Sequence, residues 1–225
     1  MTVRETFMQR VRDAVSAGQQ AGAAHSLPER DGVGYQGAGP DPVARFAAEC
    51  TAAGGQVWPV RGSCEAMARA LEILRAMSAR VVLLGTGQVL DSLGLAQALP
   101  AQGYEVHLLP GLQARDAWWA ADASVTGVDY LVAETGTLAV LARPNEPRSL
   151  SLLPPVHVVV AHRSQIMPDL FDLFAALQGP ENGPGPAMPS CLSLITGPSK
   201  TGDIELKLVT GVHGPGEVHV IVISD

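Results

Sequence analysis

Short, continuous apolar runs separated by amphipathic stretches decide what this chain can become. Val81-Val82-Leu83-Leu84 and Val156-His157-Val158-Val159-Val160-Ala161 carry almost no alternating polar residues. Each of them, if extended, has two faces to bury. Such strands belong in a parallel sheet, because the helical crossovers between parallel strands cover both of its faces. The segments between the runs fit that scheme. Asp41-Pro42 opens a helix with proline at its first position, where the missing N–H costs nothing, and Gly54-Gly55 ends it. A strand over 56–60 follows, then a helix over 63–77 with Met67, Leu71 and Leu74 on one face. Next come a strand over 80–84, a helix around 93–99, a strand over 105–109 and a helix holding Trp118 and Trp119.

The pattern changes near residue 129. Segments 129–134 and 137–142 read as two strands joined by Thr135-Gly136, a two-residue hairpin signal. A third strand spans 156–161, and Pro168 starts a helix carrying Leu170, Leu173, Phe174 and Leu177. The stretch 179–189 reads as a Gly/Pro loop, and a last strand over 217–223, with Val218, Val220 and Val222 alternating, closes the domain. The expected fold class is α/β: an open, mostly parallel sheet with helices on both faces plus a β-hairpin, without internal repeats.

Ahead of this lies a separate element. Thr2 and Glu5 form a capping-box pair, and Val3, Phe7, Val11 and Val15 recur every fourth residue, so an amphipathic helix is expected up to Gly18. Residues 21–40, rich in Gly and Ala, read as a linker. The expected division is therefore 1–40, an N-terminal helix and linker, and 41–225, the α/β domain. The helix either docks on its own domain or serves as a partner-binding arm.

Composition excludes several classes of function. With 47% hydrophobic and 16% charged residues among 225, the chain can bury a sizeable core and is not disordered. A net charge of -7, with no basic run, argues against non-specific nucleic-acid binding. No stretch reaches the roughly 18–20 apolar residues that span a bilayer. The amphipathic N-terminus is not of signal-peptide type, so a cytoplasmic setting is expected. Cys50, Cys64 and Cys191 share no CxxC spacing, so no zinc or iron–sulfur site is expected in this chain. His157, His162, His213 and His219 match no metal-ligand spacing and read as structural groups.

Three turns can carry chemistry. Ser193 to Glu205 reads as a buried apolar strand breaking into a loop that opens a short helix. There Gly197 lets backbone approach a ligand, while Ser199, Lys200, Thr201 and Asp203 line an anion site at the helix start. An ordinary strand-to-helix connection capped by Ser199 or Thr201 fits the same residues. Glu134-Thr135-Gly136 places a carboxylate at a tight turn, as a nucleophile or general base, or as a solvated turn residue. Gly85-Thr86-Gly87 follows an apolar strand and faces the edge where open α/β sheets bind ligands, but lacks the third glycine of a dinucleotide fingerprint. Arg143, Glu146 and Arg148 are most simply a solvated charged segment, although an arginine there can clamp a carboxylate or phosphate.

Several blocks, in order, resemble the lactate utilization protein C family of LUD-domain proteins: Val125-Thr126-Gly127-Val128-Asp129, Ala133-Glu134-Thr135-Gly136-Thr137-Leu138, Gly197-Pro198-Ser199-Lys200-Thr201-Gly202-Asp203-Ile204-Glu205 and Gly211-Val212-His213-Gly214-Pro215. Lys200 and Gly202 stand where the family commonly has Arg and Ala, which loses the guanidinium's planar fork. The resemblance implies a fold similar to the NagB/RpiA/CoA-transferase group and a role in oxidising L-lactate to pyruvate. The implied arrangement is a non-redox subunit that carries no cofactor of its own and works with iron–sulfur partner subunits. It would bind a small anionic metabolite in a cleft shared by the three turns, with Glu134 orienting or activating it. Two other readings stand beside it. One is a free-standing transferase or isomerase acting on a phosphorylated or CoA-linked metabolite with Glu134 as the reacting carboxylate. The other is a scaffold that docks through its first helix.

Overall fold

The structure, a computed structural model, describes residues 2–21, 37–108, 118–143, 146–178, 191–202 and 208–224. The chain divides into two units, Met1–Tyr35 and Gln36–Asp225. In the first, helix α1 (Val3–Ala21) begins at the expected capping box: the Thr2 backbone N–H donates to Glu5 Oε2 at 2.6 Å and the Glu5 N–H to Thr2 Oγ1 at 3.3 Å. The helix runs through Gly18, because Gln19, Gln20 and Ala21 are good helix formers. Val3, Phe7, Val11 and Val15 are exposed along it.

The second unit opens with α2 (Pro42–Ala52), β1 (Gln56–Arg61), α3 (Gly62–Ala76), β2 (Val81–Leu84), α4 (Gln88–Leu93), α5 (Leu95–Ala101) and β3 (Glu105–Leu108). It continues with β4 (Ala123–Thr126), β5 (Tyr130–Val132), β6 (Thr137–Leu141), α6 (Ser149–Leu152), β7 (Val156–His162), β8 (Ile166–Met167), α7 (Leu170–Gln178), β9 (Leu192–Thr196), β10 (Lys200–Thr201), β11 (Val209–Thr210) and β12 (Glu217–Ser224). Asp41 caps α2 by accepting the Val43 and Ala44 N–H groups at 3.1 Å. The helix expected around 93–99 is two, divided where Gly94 turns left-handed at φ 64°.

Six strands form a wholly parallel main sheet in the order β1-β12-β7-β4-β2-β3. Its four interior strands, β12, β7, β4 and β2, are buried on both faces, as the apolar runs require, while the edge strands β1 and β3 are partly exposed. Val82, Leu84, Val125, Val158, Val160 and Ile221 pack under α3, α4 and α5. On the other face Val159, Val218, Val220 and Val222 meet Phe46 and Cys50 of α2 together with Leu131, Ala133 and Leu138. Leu131 and Leu138 belong to a small sheet ordered β8-β5-β6-β9, and Ala133 to the turn that follows β5; the sheet's outer side is covered by Leu173 of α7. The α/β class with an added hairpin is thus the observed architecture.

Four local expectations need correction. Strand β4 carries Ser124 and Thr126, which hid it from the apolar pattern, yet it lies between β7 and β2 with all four residues buried. The β5–β6 connection is the four-residue turn 133–136, not two residues: the Ala133 and Glu134 N–H groups turn away to the Met167 and Pro168 carbonyls. Residues 193–196 lie on the partly exposed edge strand of the small sheet, and Lys200–Thr201 do not open a helix; they are extended and pair with Val209–Thr210. Finally, β12 is an interior strand buried on both faces rather than an alternating closing strand, with Ile221 and Ile223 opposite the valines.

Candidate functional site

The chain runs from β2 to β3 on one side and then returns to place β4 on β2's other side. This reversal leaves a crevice beyond the carboxyl ends of β2 and β4, the place where open α/β sheets hold ligands. A cavity of about 610 Å³ lies there. Thr86, Gly87 and Gln88 line it from the end of β2, Gly127 and Val128 from the end of β4, and His162, Ser164 and Gln165 from the end of β7. Arg143, Glu146 and Ser63 complete its polar wall. Gln165 holds the wall together. Its Oε1 accepts the His162 N–H at 2.7 Å, and its Nε2 donates to the carbonyls of Val128 and of Asp129, the latter at 3.3 Å.

Charge is concentrated on one side of this cavity. Arg143 bridges two carboxylates, donating to Asp129 Oδ1 and standing 3.5 Å from Glu146 Oε2 through its other terminal nitrogen. Asp129 is fixed in turn by the Leu141 N–H at 2.7 Å. Glu146 also lies beside this loop: its Oε1 is 3.5 Å from where a side chain on Gly85 would begin, and the nearby Thr86 backbone N–H favours its charged form. The Gly85-Thr86-Gly87 loop therefore already has a carboxylate against it, one supplied by the protein itself. Burial pushes the Glu146 carboxyl above its ordinary range and the Asp129 charge adds to the rise, while Arg143 and the Thr86 N–H oppose it. The segment read as solvated charge is thus one wall of the cavity. The sign of this was the arginine flanked by acids; which edge it faced depended on the strand order.

The other two turns meet each other but not this cavity. Strands β6 and β9 pair with Thr137 opposite Thr196, which brings the 133–136 turn beside Gly197. A rung of hydroxyls ties them, Thr135 to Thr137 and Thr137 to Thr196, each at 2.7 Å. Both turns press on the end of α2, at the amino edge of the main sheet. A side chain on Gly136 (φ 64°) would begin 2.2 Å from the Cys50 nitrogen, and one on Gly197 (φ 68°) 2.5 Å from the Ala53 carbonyl oxygen. Lys200 donates its ammonium to that same carbonyl, the C-cap of α2. The Ser199 N–H is taken by the Pro215 carbonyl at 2.8 Å, and Thr201 pairs with Val209. Glu134 is half-buried, its N–H on the Pro168 carbonyl at 3.1 Å. Asp203 lies outside the described residues. Gly85, Thr86 and Gly87 stand at the opposite, carboxyl edge, so the three turns do not share one cleft.

The histidines do not gather either, and among the described residues no cluster of three metal-ligating side chains occurs. His157 is fully buried; its Nε2 pairs with Thr126 Oγ1 at 2.8 Å, and burial lowers its pKa to about 4. His219 stacks on Trp58 with ring centres 6.4 Å apart. Among the described residues no helix is long and apolar enough to cross a membrane.

Comparison with known proteins places this geometry in a family. A crystal structure of a DUF162 family protein from Deinococcus radiodurans, 22% identical, superposes with a TM-score of 0.54 over 81% of this chain and 96% of that one, so the fold is shared. Lactate utilization protein C of Halalkalibacterium halodurans is 34% identical, the match covering 68% of this chain and 66% of that protein. The protein of the same name from Geobacillus kaustophilus is 31% identical over 68% of this chain and 70% of its own length. The LUD domain model matches residues 43–223, and the chain belongs to the LUD domain family.

Proposed function

We propose that this chain serves lactate utilization as a non-redox subunit of an L-lactate-oxidising system, and that the cavity at the carboxyl edge of its sheet binds a small carboxylate. The relatives' names support a role in lactate utilization, while the non-redox place in an oxidising system is what the family resemblance implies. The single observation behind the carboxylate site is the meeting of Arg143 with the Gly85-Thr86-Gly87 loop at the point where the strand order reverses. An arginine beside a loop of backbone N–H groups is what a carboxylate needs, and Ser63, Ser164 and Gln165 can take a neighbouring hydroxyl or carbonyl. Electron transfer would fall to iron–sulfur partner subunits, which the family resemblance implies. No observation favours the transferase reading, because Glu134 stands at the other edge of the sheet.

Titration of the full chain with L-lactate and with pyruvate tests the ligand. Binding is expected for at least one, and Arg143→Met is expected to weaken it about 10- to 100-fold, the worth of one charge-assisted hydrogen bond. Absence of binding to both overturns the carboxylate reading. For the wider role, deletion in the source organism is expected to abolish growth on L-lactate, and a tagged chain is expected to co-purify with iron–sulfur proteins. Unchanged growth together with no such association would overturn it.

A further inference from the structure

The cavity's charge balance is wrong for its proposed ligand. One guanidinium, Arg143, faces two carboxylates, Asp129 and Glu146, before any anion arrives. Asp129 is committed to the Leu141 N–H and is the better buried partner of Arg143. Glu146 is different: it lines the cavity with Thr86 and Gly87, its Oε1 3.5 Å from where a side chain on Gly85 would begin, which is where an incoming carboxylate would be received. A second carboxylate there would oppose both acids across a half-enclosed space, where like charges repel strongly.

Resting on the carboxylate reading above, we propose that the cavity takes up its ligand together with one proton, and that Glu146 carries it. The proton comes from solvent and adds to a Glu146 carboxylate oxygen. The neutral acid then releases Arg143 to the ligand and turns from an acceptor into a donor that can bond the ligand's own carboxylate. Binding thus replaces one anion by another and leaves the net charge of the wall unchanged. The elevated affinity of Glu146 for protons in the empty site, caused first by burial, lowers the cost of this exchange. The charged and titratable groups around Glu146 are Arg143 on its own turn, Asp129 beyond β4, Arg148 across a small adjoining cavity, and His162 at the end of β7. Of these His162 is the rival carrier.

The sign follows from linkage. The protonated site binds better, so affinity is highest below the pKa of Glu146 in the empty site. It falls by up to about tenfold per pH unit above that value and levels off once the liganded site also loses its proton. L-lactate or pyruvate, whichever binds, is titrated into the full chain calorimetrically between about pH 5 and 8 in two buffers of different ionisation enthalpy. Wild type is expected to absorb a fraction of a proton per ligand, with affinity falling as pH rises. Glu146→Gln keeps the side chain's size and a carbonyl oxygen beside the loop, and is expected to bind with no proton uptake at this position and with affinity nearly independent of pH. A melting curve checks that this variant is folded. Binding with no proton uptake by wild type overturns the inference while leaving the carboxylate reading standing, and so does uptake that persists unchanged in Glu146→Gln, which would assign the proton to His162. Absence of binding by wild type overturns both.

Discussion

Gly136→Ala puts the docking of the small sheet on α2 to a quantitative test. The backbone at Gly136 is left-handed, φ 64°, which costs a residue with a side chain roughly 1–2 kcal/mol. The added methyl would also begin 2.2 Å from the Cys50 nitrogen and 2.6 Å from the Cys50 Cα and the Glu49 carbonyl carbon. These are backbone atoms inside a helix, so no rotamer change relieves the overlap; α2 must retreat from the turn. Retreat loosens Phe46 and Cys50, both fully buried against β7 and β12, and overpacking of this kind costs about 1–3 kcal/mol. The sum is about 3 kcal/mol, or a drop in Tm of about 6–12 °C for a chain of this size. Gly39→Ala is the control, because Gly39 has nearly the same φ, 67°, but no heavy atom within 4 Å of its would-be side chain. It should show the conformational cost alone, about 1–2 kcal/mol. Thermal melts followed by circular dichroism, with denaturant titrations beside them, measure both. Equal losses in the two variants would refute the close approach of turn and helix.

Other substitutions separate the two edges of the sheet. Lys200→Met should cost about 0.5–1 kcal/mol by uncapping the α2 carboxyl end, read by denaturant midpoint, and leave ligand affinity unchanged, the opposite of Arg143→Met. Thr137→Val breaks a buried hydroxyl rung and strands two partners, so a loss of about 1–3 kcal/mol in the denaturation midpoint is expected with little change in side-chain volume. His157 has its pKa lowered by burial from 6.5 to about 4, so the folded state holds fewer protons than the unfolded chain between those values. Stability is then complete above about pH 6.5 and falls with acidity down to about pH 4, by on the order of 3 kcal/mol in all. Melting temperatures taken across that window should lose this slope in His157→Gln.

Much of the fold was legible because burial on two faces leaves a simple trace. The apolar runs of β2 and β7 announced a parallel sheet, and Asp41-Pro42 and Thr2/Glu5 marked helix starts that the structure reproduces. Strand β4 was not legible, since Ser124 and Thr126 look solvated until His157, from the neighbouring strand, supplies a partner for Thr126. The 200–201 segment misled for a related reason. Ser, Lys, Thr and Gly read locally as a helix cap, but pairing with Val209–Thr210 supplies the backbone partners first. The cavity itself depends on strand order, which sets which loops are neighbours, and no local pattern near Gly85 or Arg143 encodes that β4 follows β3 on the far side of β2.

The most distinctive residues of the chain illustrate how motif and chemistry can part. Glu134-Thr135-Gly136-Thr137 and Gly197-Pro198-Ser199-Lys200-Thr201 have the look of a reaction centre: a carboxylate, small residues and an ammonium. Their surroundings supply a different physical demand for several of them. Two left-handed glycines are needed because both turns press on one helix end, and the threonines are needed as a hydroxyl rung between them. Lysine is needed because that helix end exposes carbonyls. The pole involved also matters. A helix carboxyl end carries partial negative charge, so the loop lies where an anion is repelled and a cation is welcome. Lys200 answers that field, and with its charge so engaged, little is left there to attract a metabolite anion. At the carboxyl edge of the sheet the situation is reversed, for Arg143 has more acid around it than it can neutralise. A site is better recognised by such an imbalance than by the rarity of its residues, since packing can demand rare residues but gains nothing from surplus charge facing an open cavity.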